Sequence, residues 1–374
     1  MLPYGRQSII EDDILAVAQV LRGDWLTTGP AVQAFEEELA RWTGGVPCVS
    51  VTSGTAALHV AYAAAGVGQG DEVITTPITF AATASTCALL GATPVFADVD
   101  PETANLDPDA VAAAITPRTA AITAVDYAGH PADYDALRDL ADGAGATLIG
   151  DAAHAIGSSY KDRPVGSLAD LTTFSFFPTK TVTTAEGGAV AALDAGLLQR
   201  AGSFKNHGLV RDRELQRDPD HGGWHQEVHA LGLNYRLPDV LCALGISQLR
   251  RLGDFRARRA ELVARYNAAL REVPGLGLPV QRPYVDVSWH LYAVRVLGGR
   301  RREVYDRMRA AGIGVQVNYI PVYWHPAFED LGYRRGMCPR AEAFYSEQLS
   351  LPLYADLTDA QQDRVIEELS AILR

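Results

Sequence analysis

The sequence predicts an α/β domain on a mostly parallel sheet, followed by a smaller α+β domain, and three observations predict it. From Gly44 to about Ala192, short β-rich runs alternate with Ala-rich or amphipathic runs, the order that lays helices against parallel strands. The helical runs are bounded by Gly, Pro, Asp or Thr where caps belong. Beyond Gly202 the pattern changes to a polar Gly/His/Asp-rich stretch and then to Arg-rich helical sequence.

Taken in order, the expected strands are Pro47–Thr52, Glu72–Thr75, Thr93–Val99, Ala120–Asp126, Thr147–Asp151, Thr172–Phe176 and Gly188–Ala192, enough for one central sheet. Between them, helices are expected over Thr55–Ala65, Thr79–Leu90, Pro108–Ile115 and Asp133–Asp142. Asp212–Trp224 reads as loop, and Pro238–Leu270 as one or two helices. A domain change is placed near Leu249, where the run Arg250–Arg259 begins, giving domains over 1–248 and 249–374. The second should hold strands around Tyr292–Val296 and Val315–Ile320 and helices around Arg302–Ala310, Arg340–Leu349 and Asp359–Leu373.

Composition limits the function. The 374 residues carry 33 Lys plus Arg against 45 Asp plus Glu, a net charge of −12, which argues against a phosphate-backbone partner such as nucleic acid. With 48% hydrophobic and 21% charged residues, the chain is an ordinary globular one. Val73–Ala97 has no charge and is long enough to cross a bilayer, but Pro77, Pro94 and repeated threonines break it into strand, helix and strand, so buried core is expected. Arg6, Glu11, Asp12 and Asp13 leave no apolar block for a secretory signal, and the scattered Cys48, Cys87, Cys242 and Cys338 suit reduced thiols; a cytoplasmic location is expected. His225 and His229 lack the Glu spacing of a zincin helix, and no metal is expected.

Three motifs carry chemistry. In Val51–Leu58 a strand runs into Ser53-Gly54-Thr55 and an Ala-rich helix, whose first N–H groups form an anion site; the same residues also make an ordinary capped helix. Leu148–His154 is an apolar strand ending in Asp151 with His154 three residues later, and strand ends of such sheets face ligands. Phe174–Lys180 places Ser175 and Lys180 after aromatics, ahead of Glu186-Gly187-Gly188; desolvation there makes an amine nucleophilic toward carbonyls. Each motif alone has a bland reading. In this order, a phosphate cradle, a carboxylate for a pyridine nitrogen and a Schiff-base lysine form the constellation of a pyridoxal-phosphate enzyme.

These motifs, with Trp25–Pro30, Phe35-Glu36 and Gly232–Asp239, resemble the sugar aminotransferases of the DegT/DnrJ/EryC1/StrS family over essentially the whole chain. The resemblance implies a fold-type-I, aspartate-aminotransferase-like homodimer with active sites shared at the subunit interface. It further implies pyridoxal 5'-phosphate linked to Lys180 and cycling through pyridoxamine phosphate, Asp151 against the ring nitrogen, and Phe80 stacked on the ring with His154 nearby. Gly54, Thr55 and Ser175 are implied as phosphate ligands, and Asn234 as a ligand of the neighbouring subunit's cofactor. On residue type alone, a Phe at an apolar helix start is usually core and an Asn before Tyr-Arg is usually a turn. Tyr4, Thr27, Tyr319 and His325 are expected substrate contacts from their places beside matched motifs.

Within the family, Pro3–Ile9, Pro77–Thr83, Gly312–Tyr323 and Leu349–Leu353 are similar to the branch that makes UDP-4-amino-4,6-dideoxy-N-acetyl-altrosamine. Asn318 and Phe177 depart from it, each standing where that branch usually carries His. The expected reaction moves an amino group from glutamate to C4 of a UDP-linked, N-acetylated 4-keto-6-deoxysugar. Alternatives are an aminotransferase for another keto-sugar or a cyclitol of an antibiotic pathway, a pyridoxamine-phosphate-dependent sugar dehydratase, which would carry His in place of Lys180, and a non-enzymatic regulator.

Overall fold

The computed structural model describes residues 1–374. Two helices, α1 (Glu11–Arg22) and α2 (Pro30–Trp42), precede the sheet, neither singled out as an element in the sequence. The sheet has seven strands: β1 (Cys48–Val51), β2 (Glu72–Thr75), β3 (Thr93–Phe96), β4 (Thr119–Val125), β5 (Thr147–Asp151), β6 (Leu171–Ser175) and β7 (Gly188–Ala192). Their order is β1-β7-β6-β5-β4-β2-β3, and only β7 runs against the rest. All seven expected strands are therefore present: three have the expected bounds, and the other four differ at their ends by one to three residues, where flanking residues turn into loops and caps.

Helices α3 (Gly54–Ala64), α4 (Ala82–Leu89), α5 (Pro108–Ala114), α6 (Tyr134–Ala144) and α7 (Ala195–Phe204) connect or flank the strands. Val73–Ala97 is the strand, helix and strand its prolines and threonines predict, and no helix is long and apolar enough to cross a membrane. α4 starts at Ala82 rather than Thr79: the Thr79 hydroxyl is engaged with Thr83 instead of capping the helix. All four cysteines are free and buried.

The Pro238–Leu270 stretch forms two helices, α8 (Asp239–Arg250) and α9 (Leu252–Leu270). Three antiparallel strands follow, β8 (Leu276–Gly277), β9 (Tyr292–Val296) and β10 (Gln348–Leu351), with α10 (Arg301–Ala310), α11 (Pro326–Glu329), α12 (Pro339–Glu347) and α13 (Asp359–Leu373) around them. Two expectations fail here. Val315–Ile320 is not a strand: it touches β10 through one bridge, Gln316 to Ser350, after which the Val317 N–H goes to the Gln316 side chain and the Asn318 N–H to the Gln348 side chain. The helix expected over Arg340–Leu349 stops at Glu347, because Gln348–Leu351 pairs with Tyr292–Arg295 in the sheet.

One large core of 57 buried residues runs from Phe35 and Leu39 through the sheet to Leu369 and Ile372, so the C-terminal elements pack onto the same hydrophobic body as the sheet. A second core lies under α3 and α7. These two cores clamp β5, β6 and the start of α3 in fixed relation, which is what aligns the groups described next.

Candidate active site

The site opens beyond the carboxyl ends of β5 and β6, against the start of α3. β1 delivers Ser53, whose side chain caps α3 by accepting the Ala56 N–H at 3.1 Å. The cap leaves the Gly54 and Thr55 N–H groups at the positive end of an eleven-residue helix. Ser175, the last residue of β6, lies against them: a Cβ on Gly54 would stand 2.7 Å from Ser175 Cβ and 2.9 Å from its Oγ. Only glycine permits that approach. Gly188 is equally constrained, since a Cβ there would meet the Ser53 carbonyl oxygen at 2.4 Å.

Asp151 ends β5 and is 5% exposed. Its Oδ2 accepts from the Thr83 hydroxyl at 2.7 Å and its Oδ1 from the Ala153 N–H at 3.3 Å. The Thr79 and Thr83 hydroxyls are 2.8 Å apart, so Thr79 can feed the proton that frees Thr83 to donate to Asp151. Burial raises the carboxyl pKa, and the Thr83 hydrogen bond opposes it. No basic side chain forms an ion pair with this carboxylate, which leaves it poised for a cationic ligand group.

Lys180 follows in the loop after β6, its backbone N–H tied to the Phe177 carbonyl at 2.8 Å. Enclosure of its ammonium lowers the pKa to about 8, against the Asp151 charge, which raises it. An amine so placed is neutral in a useful fraction near neutral pH. His154 is held well below the usual imidazole range by burial, with the Lys180 charge adding to it. Its Nε2 meets the Tyr319 hydroxyl at 3.0 Å, and its ring lies 4.3 Å from that of the buried His290. Phe80, 62% exposed, stands at the mouth with its ring centroid 6.2 Å from that of Tyr319.

One cavity of about 420 Å³ collects most of the residues singled out in the sequence: Lys180, Asp151, Gly54, Thr55, Ser175, Phe80, His154, Tyr4 and Tyr319 all line it. Three do not. Asn234 is exposed, in a loop whose backbone bridges to Asn206, and Thr27 lines a separate basic pocket with Lys205, Arg211 and Arg236. His325 caps α11 outside the cavity. Sequence reasoning passed over Thr79, Thr83, Thr179, Glu186 and His290. The four-residue spacing of Thr79 and Thr83 was a usable signal; His290 arrives from β9's approach, and nothing local marks it. Asn318 and Phe177, noted as departures, are both in the cavity wall. His225 and His229 both turn to Glu227 in a two-strand hairpin.

A helix-start anion cradle, a buried carboxylate and a softened amine around one cavity are equipped to hold a phosphorylated cationic ring and to attack a carbonyl on it. Comparison with known proteins agrees. The sequence profile of the DegT/DnrJ/EryC1/StrS aminotransferase family matches residues 7–370. The chain is 40% identical to the spore coat polysaccharide biosynthesis protein SpsC of Bacillus subtilis, over 100% of this chain and 97% of that one. Its structure is similar to the pyridoxamine-phosphate form of the putative sugar aminotransferase Spr1654 of Streptococcus pneumoniae, at a TM-score of 0.94 and 31% identity over 100% and 99% of the two chains. It is likewise similar to PseC of Helicobacter pylori, an aminotransferase involved in pseudoaminic acid biosynthesis, at 0.92 and 29% over 100% and 99%.

Proposed function

The chain belongs to the DegT/DnrJ/EryC1/StrS aminotransferase family, and from that premise we propose that it transfers an amino group from glutamate to C4 of a nucleotide-linked 4-keto-6-deoxysugar, UDP-linked and N-acetylated. That it is a pyridoxal-phosphate-dependent sugar aminotransferase follows from the family and the structural neighbours. The donor, the nucleotide and the position rest on the likeness of Pro3–Ile9, Pro77–Thr83 and Gly312–Tyr323 to the altrosamine-forming branch. The names of the relatives support a sugar acceptor, one belonging to spore coat polysaccharide synthesis and one to pseudoaminic acid synthesis.

The observation that carries the reading is the opposition of Asp151 and Lys180 across one cavity, with the Gly54–Ser175 cradle beside them. The residues fit the cofactor. The cradle offers N–H groups and hydroxyls for a phosphate, and a buried carboxylate without a cationic side-chain partner accommodates a protonated ring nitrogen. When bound, pyridoxal phosphate supplies the electron sink for a carbanion at the amino-donor carbon.

Lys180 Nζ holds the cofactor covalently and, once released, is the base that moves the proton at the donor α-carbon. Asp151 holds the ring-nitrogen proton, and Thr83 and the Ala153 N–H hold Asp151 in place. Phe80 and His154, in the same cavity wall, would flank the ring, and Tyr4 and Tyr319 would meet the acceptor. Thr27, His325 and Asn234 are assigned to the substrate and to the neighbouring subunit's cofactor. Support for a shared site is that Thr27 and Asn234 lie away from their own chain's cavity, beside exposed apolar groups, Trp25 at 57% and Leu231 at 91%.

The test is the visible spectrum of the purified protein. A yellow band that bleaches on adding glutamate is the expected result; demonstrably folded protein that takes up no pyridoxal phosphate overturns the reading. Product analysis with UDP-linked 4-keto-6-deoxy-N-acetylhexosamine against a cyclitol ketone then decides the acceptor. Asn318 and Phe177 in the cavity wall are the observations that favour a different ketone, should the UDP-sugar fail.

A further inference from the structure

Tyr62 on α3 is fully buried, lies outside the cavity and takes no part in the chemistry above. The other six buried residues of that helix are Ala, Leu or Val, so the Tyr62 hydroxyl is the one polar side-chain group among them. It donates to the Thr83 carbonyl oxygen on α4 at 2.8 Å and stands 3.0 Å from Thr123 Oγ1 on β4. A phenylalanine would fill the same space without either contact.

Thr83 carries the connection onward. Its hydroxyl has one proton and two acceptors in reach, Asp151 Oδ2 at 2.7 Å and the Phe80 carbonyl at 3.2 Å, and the shorter bond, to a carboxylate, is the stronger. One residue of α4 thus receives α3 on its carbonyl and holds Asp151 with its hydroxyl. The Thr123 contact refers α3 to the sheet as well, since Thr123 lies two residues before Val125, the partner of Asp151 in the β4–β5 ladder. Tyr62 is eight residues on from Gly54, about 12 Å along the helix axis. The first turn of α3 is set against Ser175 and Gly188, and Tyr62 sets the helix a second time two turns further on. Two fixed points define the axis of a rigid rod.

We propose that Tyr62 and Thr83 are positioning residues that set the register between the two ends of the cofactor site, the phosphate cradle at the start of α3 and the Asp151 carboxylate at the end of β5. The proposal rests on the cofactor reading above. A ligand with a phosphate at one end and a protonated ring nitrogen at the other gains from binding both ends at once only while their spacing matches its own. Each end alone is insensitive to that spacing. A shift of α3 against β5 therefore weakens the whole cofactor and leaves its separate parts bound as before.

Pyridoxamine phosphate is the probe, because it has no carbonyl for Lys180 to attack and its binding is read without a covalent bond. Pyridoxamine and inorganic phosphate stand for its two ends. Cofactor-free protein is titrated calorimetrically with the whole molecule, and the parts are read by the concentration of each that displaces it. Tyr62→Phe is expected to raise Kd for pyridoxamine phosphate about three- to tenfold, the worth of one hydrogen bond. Kd for each part should stay within about twofold of the unaltered chain's. Thr83→Val should weaken pyridoxamine phosphate and pyridoxamine together, since Asp151 loses its donor, and leave inorganic phosphate alone. In the double variant Tyr62→Phe should add less than about twofold to the loss from Thr83→Val, because the connection is already cut. A role confined to holding the fold lowers the denaturation midpoint without separating the whole from its parts.

Equal weakening of pyridoxamine phosphate and of either part by Tyr62→Phe overturns the proposal, as do unchanged binding of all three by folded Tyr62→Phe protein and additive losses in the double variant. So does an unaltered chain from which either part fails to displace the whole, since the site then has no separable ends. Where Tyr62→Phe does not fold, Thr83→Ser replaces it. Serine keeps the hydroxyl, so pyridoxamine phosphate should bind within about twofold of the unaltered chain while Thr83→Val weakens it; equal weakening by the two overturns the proposal. An unaltered chain that takes up neither pyridoxamine phosphate nor pyridoxal phosphate sinks the cofactor reading instead, which keeps the two failures apart.

Discussion

Burial and charge pull the Lys180 amine in opposite directions, and burial wins. Its pKa falls from 10.5 to about 8 although Asp151 lies across the same cavity. Two consequences follow with a definite sign. Between about pH 8 and 10.5 the unfolded chain binds the proton that the folded chain has lost, so this group makes the cofactor-free protein more stable as pH rises through that window. Attachment of pyridoxal phosphate needs the neutral amine, so its rate in cofactor-free protein should climb with pH and level off above about 8. Stopped-flow absorbance at several pH values checks this; a rate still climbing at pH 10, or covalent uptake by Lys180→Ala, contradicts the assignment. The sequence allowed Lys180 to be read as an amine in apolar surroundings, but not the balance of burial against the Asp151 charge. That balance depends on residues 29 positions apart meeting across a cavity.

At the scale of elements, the cradle is a problem of close approach. β7 lies between β1 and β6, and Gly188 faces the Ser53 carbonyl with no room for a methyl group. Gly188→Ala should therefore push the start of α3 away from Ser175, costing about 1–3 kcal/mol of stability and weakening cofactor binding more than a surface Gly→Ala control such as Gly253→Ala, where no atom lies within 4 Å. Denaturant titration and equilibrium dialysis of pyridoxal phosphate read the two effects; unchanged affinity would remove the cradle from the phosphate site. The seven strands were legible because each is a short β-rich run closed by turn residues. Val315–Ile320 misled because its apolar residues look like a strand's, while three of its backbone groups are met by side chains, those of Gln316, Gln348 and Tyr127, which local pattern does not encode. Likewise Gln348–Leu351 reads as a continuing helix until β9 is there to pair with it.

For the whole molecule, the question is which groups a single chain can bring to its own cavity. Nine of the twelve residues singled out in the sequence meet there; Thr27 and Asn234 sit elsewhere, next to exposed apolar surface. If Asn234 serves the neighbouring subunit, Lys180→Ala and Asn234→Ala proteins that are each inactive should recover up to about a quarter of wild-type turnover when mixed and exchanged, because half of the pairs are hybrids with one intact site of two. Absence of recovery despite subunit exchange seen by mass labelling would place Asn234 outside the site. The sequence by itself determined the order of the seven sheet strands along the chain and singled out Ser53–Thr55, Asp151 and Lys180, because each is a local pattern of a few adjacent residues. Only the tertiary structure decided that Thr83 holds Asp151, that His290 backs His154, and that Gln348 and Ser350 hold Asn318 in the cavity wall. Those pairings join segments 30 to more than 130 residues apart, and a hydrogen bond's direction exists only once both of its ends are in place.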